Sequence, residues 1–417
     1  MTTLDRGDRR RLGAVVLAVL ISQVLLYPGV PNLVVALGAP AGIDAGMWFL
    51  VAEFAAFVSF AVVWGAASDA LGRRVPLIVV GALGGATCYI ALAAVPMLGF
   101  GFEAALLVRV IGGAFTIGAF SLAITLLMDL RGGHGRNMGV AGLAIGLGAA
   151  VGSVGGGVLA DVNVFYPVYA GAAVLAVAAL LVVTVSEEAA GDRADSKEAA
   201  EEKYPSAAAG FREALLRLQT TPGLAVPLAF GFVDRLTAGF FALVGVYYFQ
   251  DPETFGLSST VAGATLALFF VPFALLQAPL GTLSDRIGRF YPIVGGSLAY
   301  GVVTVGVGVA PVYPLAAGLM VLVGVCGALM APATMALVTD LADPSARGAA
   351  MGLFNVFGSL GFLTGFLVGG LTTEAFGYTT AFIVVGGLEL AIAVALLPAV
   401  KTIAPDGGPL GRSAADG

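Results

Sequence analysis

The chain has 417 residues, of which 59% are hydrophobic and only 11% are charged. Because soluble domains carry about 25% charged residues, most of this chain cannot face water, and lipid is its natural solvent. The net charge of −6 argues against nucleic acid as a partner. One histidine and two cysteines are too few for the usual zinc or haem sites, so we expect no metal, no cofactor and no enzymatic activity.

Twelve apolar segments follow one another along the chain, each about 20 residues or longer, as a hydrocarbon core of about 30 Å requires. Six of them lie near residues 12-37, 46-70, 75-97, 102-129, 137-160 and 164-185. Six more follow a polar stretch, near residues 222-250, 258-284, 290-311, 314-341, 348-371 and 377-399. The sequence therefore predicts an all-α membrane protein with twelve transmembrane helices.

Lysine and arginine are unevenly distributed between the loops. Every second loop, together with both termini, carries them, and these regions hold eighteen of the twenty cations. The remaining loops contain only acids such as Asp44 and Asp161. Because cations gather in cytoplasmic loops, both termini are predicted to be cytoplasmic. We expect a multi-pass monomer in the lipid bilayer of the plasma membrane.

One acidic stretch, residues 186-221, separates the two sets of six helices. Its later part, from Phe211 to Leu218, has the spacing of an amphipathic helix that could lie on the membrane surface, and a plain tether is the alternative. The predicted domains are an N-terminal six-helix bundle, a cytoplasmic linker, a C-terminal six-helix bundle and a flexible tail, over residues 1-185, 186-221, 222-402 and 403-417.

Three patterns recur in the same order in the two halves. The ten residues GAASDALGRR that begin at Gly65 return as GTLSDRIGRF from Gly281, 216 residues later. Asp129 and Arg136 return 211 residues later. The third pattern is a glycine ladder in the fifth helix of each half, Gly148, Gly152, Gly156 and Gly157, repeated as Gly361, Gly365, Gly369 and Gly370. Such self-similarity indicates a duplication and two pseudo-symmetric bundles.

The repeated loops combine glycines, which permit tight turns, with carboxylates beside arginines at the predicted cytoplasmic face. Opposite charges there could latch one conformation and release in another, whereas an isolated loop charge would only signal topology. The glycine ladders offer smooth faces for close helix packing. The predicted cytoplasmic gate residues are Gly65, Asp69, Gly72, Arg73, Asp129, Arg136, Gly281, Asp285, Arg286, Gly288, Arg289, Asp340 and Arg347.

These loops resemble the major facilitator superfamily, whose signature after helix 2 is G-x-L-x-D-x-x-G-R-R/K. The copy that begins at Gly281 fits almost fully, and the first copy departs from it at Ala67 and Ala70. Arg109 and Gly113 resemble the R-x-x-x-G element of helix 4 in that family. The resemblance covers all twelve helices and implies two bundles around a central cavity that opens alternately to either side of the membrane.

Two further motifs resemble the drug/proton antiporter branch of the same family. The segment Pro28-Gly-Val-Pro31 resembles its P-x-x-P element. The glycine ladders resemble its G-x-x-x-G-P-x-x-G-G motif, but Ser153 in the first half and Phe366 in the second replace the proline. These replacements put antiport itself in question.

Ionisable side chains within bilayer helices cost roughly 3 kcal/mol on insertion scales, so each is a functional candidate. Asp234 lies about twelve residues into helix 7, near the middle of the membrane. Arg109 resembles a family arginine thought to assist proton transfer. With Glu53 and Arg235 they are the predicted proton-coupling residues, and a structural Asp234–Arg235 pair is the alternative. Glu389 in helix 12 is interpreted as structural.

Polar and aromatic residues spaced i, i+4 share helix faces and are predicted to line a cavity for a small-molecule substrate. Helix-to-helix hydrogen bonding is the alternative for each amide side chain. The cavity candidates are Gln23, Tyr27, Asn32, Thr116, Phe120, Phe241, Phe273, Gln277, Asn355 and Ser359. Gln23 and Asp234 are 211 residues apart, so helix 7 is expected to carry an acid where helix 1 carries a neutral amide.

The sequence thus predicts a secondary transporter that moves a small amphiphilic solute by alternating access, in a proton-coupled export direction. The candidates combine aromatic rings with few charges, which suits an amphiphile. The missing antiporter prolines leave an uptake symporter or a uniporter as the alternative. A membrane sensor that transports nothing is the third possibility.

Overall fold

The computed structural model describes residues 3–130, 134–185, 221–343 and 347–404. Twelve helices within these ranges are long and apolar enough to cross a membrane, and the same ranges contain no strand. We number them α1 to α12: Gly7–Ala36, Ile43–Leu71, Val75–Ala94, Phe102–Asp129, Asn137–Val162, Tyr166–Val183, Pro222–Gln250, Ser259–Ile287, Tyr291–Gly308, Tyr313–Leu341, Ala350–Phe376 and Tyr378–Ile403. The predicted all-α fold with twelve transmembrane helices is confirmed. Nearly all of the predicted linker and tail lies outside the described residues.

Helix α1 begins earlier than predicted, because its helical backbone extends back to Thr3. The arginines expected to flank the helix therefore lie inside it, where they find partners. Arg9 is buried and donates from Nε to Oδ1 of Asn137 at 2.7 Å. Arg11 donates to the carbonyl oxygen of Thr184 at 2.8 Å. These bonds tie the first turns of α1 to the ends of α5 and α6.

Three helices depart from regular α geometry. A 3₁₀ turn at Tyr27–Gly29 interrupts α1, where Pro28 lacks a backbone N–H group. A π turn spans Phe241–Gly245 in α7, and α9 begins with another at Tyr291–Gly295. Single π turns shift the side chains that follow them and are frequent at functional sites.

The chain divides into two compact units, Met1–Gly210 with Phe249–Ala267, and Phe211–Tyr248 with Leu268–Gly417. This division places the end of α7 and the first turns of α8 with the first unit, whereas the sequence analysis drew its boundaries in the linker. In the first unit, the carboxylate of Asp161 accepts hydrogen bonds from the backbone N–H groups of Ser259 and Thr260, at 3.0 and 2.9 Å. It thereby caps the beginning of α8.

The glycine ladder of each half is the surface on which two helices approach closely. In the first unit α5 lies on α1, and a methyl group added at Gly152 would be 2.9 Å from the carbonyl oxygen of Ile21. In the second unit α11 lies on α7, and a methyl group at Gly365 would meet the carbonyl oxygen of Leu236 at still closer range. Because the ladder glycines have no side chains, the backbones of the two helices come into contact, which stabilises their association in lipid.

The ladder contacts also establish which residues of α1 and α7 are equivalent. The ladders contact Leu17, Ile21 and Leu25 in the first unit and Phe232, Leu236 and Phe240 in the second, 215 residues apart. Asp234 therefore corresponds to Val19, and its expected equivalence with Gln23 is wrong. The offset of 211 belongs to the loop after the fourth helix, and it does not apply to the first helix of each half.

We predict that Gly365→Ala destabilises the protein by about 2 kcal/mol, because the added methyl group overpacks the contact between α11 and α7. Gly352→Ala, in the same helix, is the matched control, since a methyl group there meets no atom within 4 Å. Thermal unfolding in detergent compares the two variants. Equal unfolding temperatures would contradict the packing role assigned to the ladder.

Candidate functional site

Glu53 of α2 and Arg109 of α4 form a buried ion pair in the first unit. The Nη2 group of Arg109 donates to Oε2 of Glu53, and both side chains are at most 5% exposed. The guanidinium group also lies over the ring of Phe49, 4.4 Å from its centroid. Gly113, one turn beyond Arg109, touches the backbone of Glu53 and so allows the two helices to approach. Sequence analysis named both residues as proton-coupling candidates but did not predict that they form a pair.

Two tyrosines surround this ion pair. Tyr89 of α3 lies within electrostatic range of both charges and donates to the carbonyl oxygen of Ser22 at 2.8 Å. Tyr27, at the 3₁₀ turn of α1, lies within electrostatic range of both charges. Among the described residues, Oε1 of Glu53 and Nε of Arg109 have no hydrogen-bond partner. The neutralised pair therefore retains one free acceptor and one free donor.

Asp234 of α7 is a buried carboxylate in the second unit, with 6% of its surface exposed. Its Oδ2 atom lies 3.6 Å from Nε of Arg235, a longer separation than a hydrogen bond, and the Arg235 side chain is 41% exposed. Gly327 of α10 adjoins this site. A methyl group there would lie 3.1 Å from the ring of Phe273 and 3.7 Å from Oδ1 of Asp234. Asp234 and Phe273, both predicted site residues, thus meet at one point.

Glu389 of α12 is fully buried and forms a hydrogen-bonded cluster that includes Thr237 of α7, three residues after Asp234. Its Oε1 accepts a hydrogen bond from Ser297 of α9 at 2.6 Å, and its Oε2 lies 3.0 Å from Oγ1 of Thr237. Thr237 follows Asp234 by three residues, so the two share a face of α7. The close approach of α9 and α12 at Gly301 brings Ser297 to the carboxylate. Sequence analysis did not find this cluster because serine and threonine in apolar helices are weak signals.

Some predicted cavity residues lie inside the helix packing of their own unit. Thr116 contacts Gly85 of α3. Phe241 is completely buried beside Phe240 and Phe382, with ring centroids 5.6 and 5.9 Å away. These two positions serve packing, because small or aromatic neighbours fill the space around them.

The other cavity candidates differ in exposure. Gln23 and Tyr27 are buried in α1, whereas Asn32 is exposed. Phe120 of α4 contacts Phe57 at 5.7 Å between ring centroids. In the second unit Gln277 and Ser359 are half-buried and Asn355 is exposed.

The predicted gate of the first unit contains an ion pair, but its arginine is Arg74. Helix α2 ends at Gly72, whose φ of 63° is favourable only for glycine, and this turn places Arg74 at the beginning of α3. Arg74 donates to Oδ2 of Asp129 at the end of α4. Asp69 and Arg73 are exposed, and Gly65 is half-buried within α2. The side chain of Arg136 lies outside the described part of the chain.

In the second unit, the predicted gate residues Asp285 and Asp340 both contact Arg289. Its guanidinium group contacts Asp285 at 2.6 Å and Asp340 at 3.2 Å. Gly288 makes the preceding turn with a φ of 89°. Arg347 donates instead to the carbonyl oxygen of Thr339 at 3.1 Å. The remaining predicted residues are the exposed Arg286 and the half-buried Gly281.

Comparisons with known proteins agree with this architecture. A family model described as Major Facilitator Superfamily matches residues 12–252 and 236–413. The multidrug efflux pump LfrA of Mycolicibacterium smegmatis is 31% identical over 133 residues, which cover 32% of this chain and 26% of the pump. The tetracycline resistance protein, class C, of Escherichia coli is 28% identical over 311 residues, 74% of each chain. The structure of the nucleoside transporter NupG has a TM-score of 0.72 at 15% identity, covering 94% of this chain and all of that one.

We predict that the Glu53–Arg109 pair shows strong coupling in a double-mutant cycle. Arg109→Met alone strands a buried carboxylate and destabilises the protein by about 4 kcal/mol. Glu53→Gln combined with Arg109→Met restores much of that loss, because no unpaired charge remains. The free energy of unfolding in detergent is measured for the wild type, the two single variants and the double variant. Additive effects of the two substitutions on this free energy would contradict the ion pair.

Proposed function

The chain belongs to the major facilitator superfamily, is a multi-pass membrane transporter rather than an enzyme, and, we propose, exports a small amphiphilic solute in exchange for protons. Two relatives favour this direction: one is named an efflux pump and the other a resistance protein. We propose that the two six-helix halves give alternating access in the plasma membrane, with both termini cytoplasmic.

The observation that carries the proposal is the environment of Asp234. Its carboxylate is buried in a bilayer helix, and its nearest cation, Arg235, lies 3.6 Å away with a partly exposed side chain. No fixed, fully buried cation of the described residues holds this carboxylate in its ionised form. It can therefore be ionised in one conformation and protonated in another. Phe273 beside it offers an aromatic surface to an amphiphile.

Glu53 and Arg109 have a different role in this proposal. Their charges already neutralise each other through a direct hydrogen bond in a buried site. Protonating Glu53 would leave Arg109 as an uncompensated buried charge, at a cost of several kcal/mol, roughly 3 to 5. We therefore assign the pair to positioning α2 against α4, and we assign proton binding to the second half.

An uptake symporter is the second candidate function. It is favoured by one observation, the absence of the antiporter proline from both glycine ladders, where Ser153 and Phe366 stand. Symport and antiport require opposite directions of proton flow for the same direction of solute flow. Simultaneous recording of both fluxes therefore separates the two candidates.

We predict that Asp234→Asn abolishes proton-driven transport. Proteoliposomes with an imposed pH gradient are given ethidium or tetracycline as probes, while an enclosed pH-sensitive dye reports proton flow. Solute accumulation and proton flow fall to the background of empty liposomes in Asp234→Asn, since an amide cannot release a proton. Glu374→Gln, an exposed carboxylate of α11, is the matched control and retains both. Undiminished accumulation in Asp234→Asn would contradict the assignment.

We also propose that the charges at the predicted cytoplasmic face latch one conformation. Arg74→Asp places two acids together and changes the transport rate about threefold to fivefold, as expected for a part-exposed pair that contributes up to about 1 kcal/mol. The swap of Arg74→Asp with Asp129→Arg restores the rate. Arg10→Asp, an exposed arginine of α1, is the control with no expected effect. A swap that transports no better than the single variant excludes a specific latch.

A further inference from the structure

Glu389 is a buried carboxylate without a counter-ion. No lysine or arginine side chain of the described residues lies within 4.0 Å of it, and none of its surface is exposed. An ionised carboxylate in such a position would cost several kcal/mol, on the order of the penalty for breaking a buried ion pair. A neutral carboxylic acid avoids this penalty. Its contacts show which atoms a proton on this carboxyl group would join.

The hydroxyl group of Thr237 has one hydrogen and two neighbours that could accept it. Its Oγ1 atom is 3.2 Å from the carbonyl oxygen of Val233 and 3.0 Å from Oε2 of Glu389. In helices a threonine hydroxyl commonly donates to the carbonyl oxygen four residues earlier. When that hydrogen points to Val233, the contact with Glu389 requires a hydrogen on the carboxyl oxygen, and when it points to Glu389, the carboxyl oxygen accepts it.

A protonated Glu389 satisfies every atom of this cluster. In that form Oε2–H would donate to Oγ1 of Thr237 across the 3.0 Å contact, and the Thr237 hydroxyl would donate to the carbonyl oxygen of Val233. Oε1, the carbonyl oxygen of the acid, accepts from Ser297 at 2.6 Å. An ionised Glu389 would accept hydrogen bonds from Ser297 and Thr237, because the carbonyl oxygen of Val233 already accepts the backbone N–H of Thr237 within α7, but its charge would remain buried without a counter-ion among the described residues.

We propose that Glu389 is a second proton-binding residue of the transporter, protonated in this conformation and ionised at another stage of the transport cycle. The proton binds by forming the Oε2–H bond, and it leaves to water or to another acceptor when that bond breaks. The proposal deepens the proton coupling proposed above and rests on it. Because two carboxylate charges in one apolar unit repel each other, ionisation of Asp234 favours retention of the proton on Glu389.

The charged and titratable groups around Glu389 come from three neighbouring helices. Asp234 and Arg235 lie on α7, Tyr300 on α9 and Cys326 on α10, all within electrostatic range of this cluster. The remaining neighbour, α11, has Glu374 as its titratable side chain, at its exposed end. Among the residues named here, Arg235 is the cation, and it contacts Asp234.

Infrared difference spectroscopy of the protein in liposomes tests the protonation directly. We expect the wild type near neutral pH to show a buried carboxylic acid C=O band that Glu389→Gln removes and Asp234→Asn retains. Thr237→Val shifts the band, because the acid loses the oxygen to which it donates. Thr334→Val is the matched control, since this buried threonine also donates to the carbonyl oxygen four residues earlier. It leaves the band unchanged.

The same variants are compared in two transport assays with ethidium or tetracycline as probes. Glu389→Gln is expected to retain exchange of labelled for unlabelled solute and to lose accumulation driven by a pH gradient. An acid band unchanged in both Glu389→Gln and Thr237→Val would overturn the protonation. Full pH-driven accumulation by Glu389→Gln would overturn its role in the cycle. If Glu389→Gln does not fold, the band shift in Thr237→Val decides the question.

Failure of the proposed function gives a different result. A wild-type protein that moves no protons with its solute refutes proton coupling, whereas the infrared band of Glu389 would persist in that protein. Loss of the band with intact proton coupling refutes only the assignment of Glu389.

Discussion

Hydrocarbon can neither hydrogen-bond a polar group nor solvate a charge, and this constraint governs the internal chemistry of the protein. Each buried ionisable side chain therefore depends on partners supplied by the protein itself. Arg109 neutralises Glu53 in the first unit. In the second unit Ser297 and Thr237 surround Glu389, where no arginine or lysine of the described residues is in contact. We therefore propose that the type of partner decides which acid is fixed as a charge and which can exchange a proton.

Glycine supplies the frame that brings these partners together, and the frame is repeated. Gly113 of α4 contacts the backbone of Glu53, and Gly324 of α10 makes the same kind of contact with Phe269. Phe269 therefore stands in the second half where Glu53 stands in the first. The two halves share these helix contacts but differ in their buried groups, so that the directly hydrogen-bonded Glu53–Arg109 pair belongs to one half, and Asp234 and Glu389, which have no such pair among the described residues, belong to the other.

The sequence predicted the twelve helices because twenty apolar residues have few alternatives to spanning a bilayer, and it located Asp234 because a mid-membrane acid is rare. Partners were harder to predict, since they depend on rotation and register. One residue separates Arg73 from Arg74, yet the Gly72 turn directs Arg74 to Asp129. Gln23 appeared equivalent to Asp234 until the ladder contacts gave the register, and Thr116 proved to face α3. Glu389 was interpreted as structural because helix 12 is peripheral in the family that the chain resembles, and its hydroxyl partners lie too far away in sequence to be predicted.

We assign proton binding to the acids of the second half, and we assign a permanently charged state to the Glu53–Arg109 pair. The most direct measurement is proton release when the purified protein, in weakly buffered detergent solution, binds the probe that the flux assay identifies. We predict that the wild type and the double variant Glu53→Gln with Arg109→Met release protons equally, whereas the double variant Asp234→Asn with Glu389→Gln releases none. Undiminished release by the second of these variants, with release abolished in the first, would contradict the assignment.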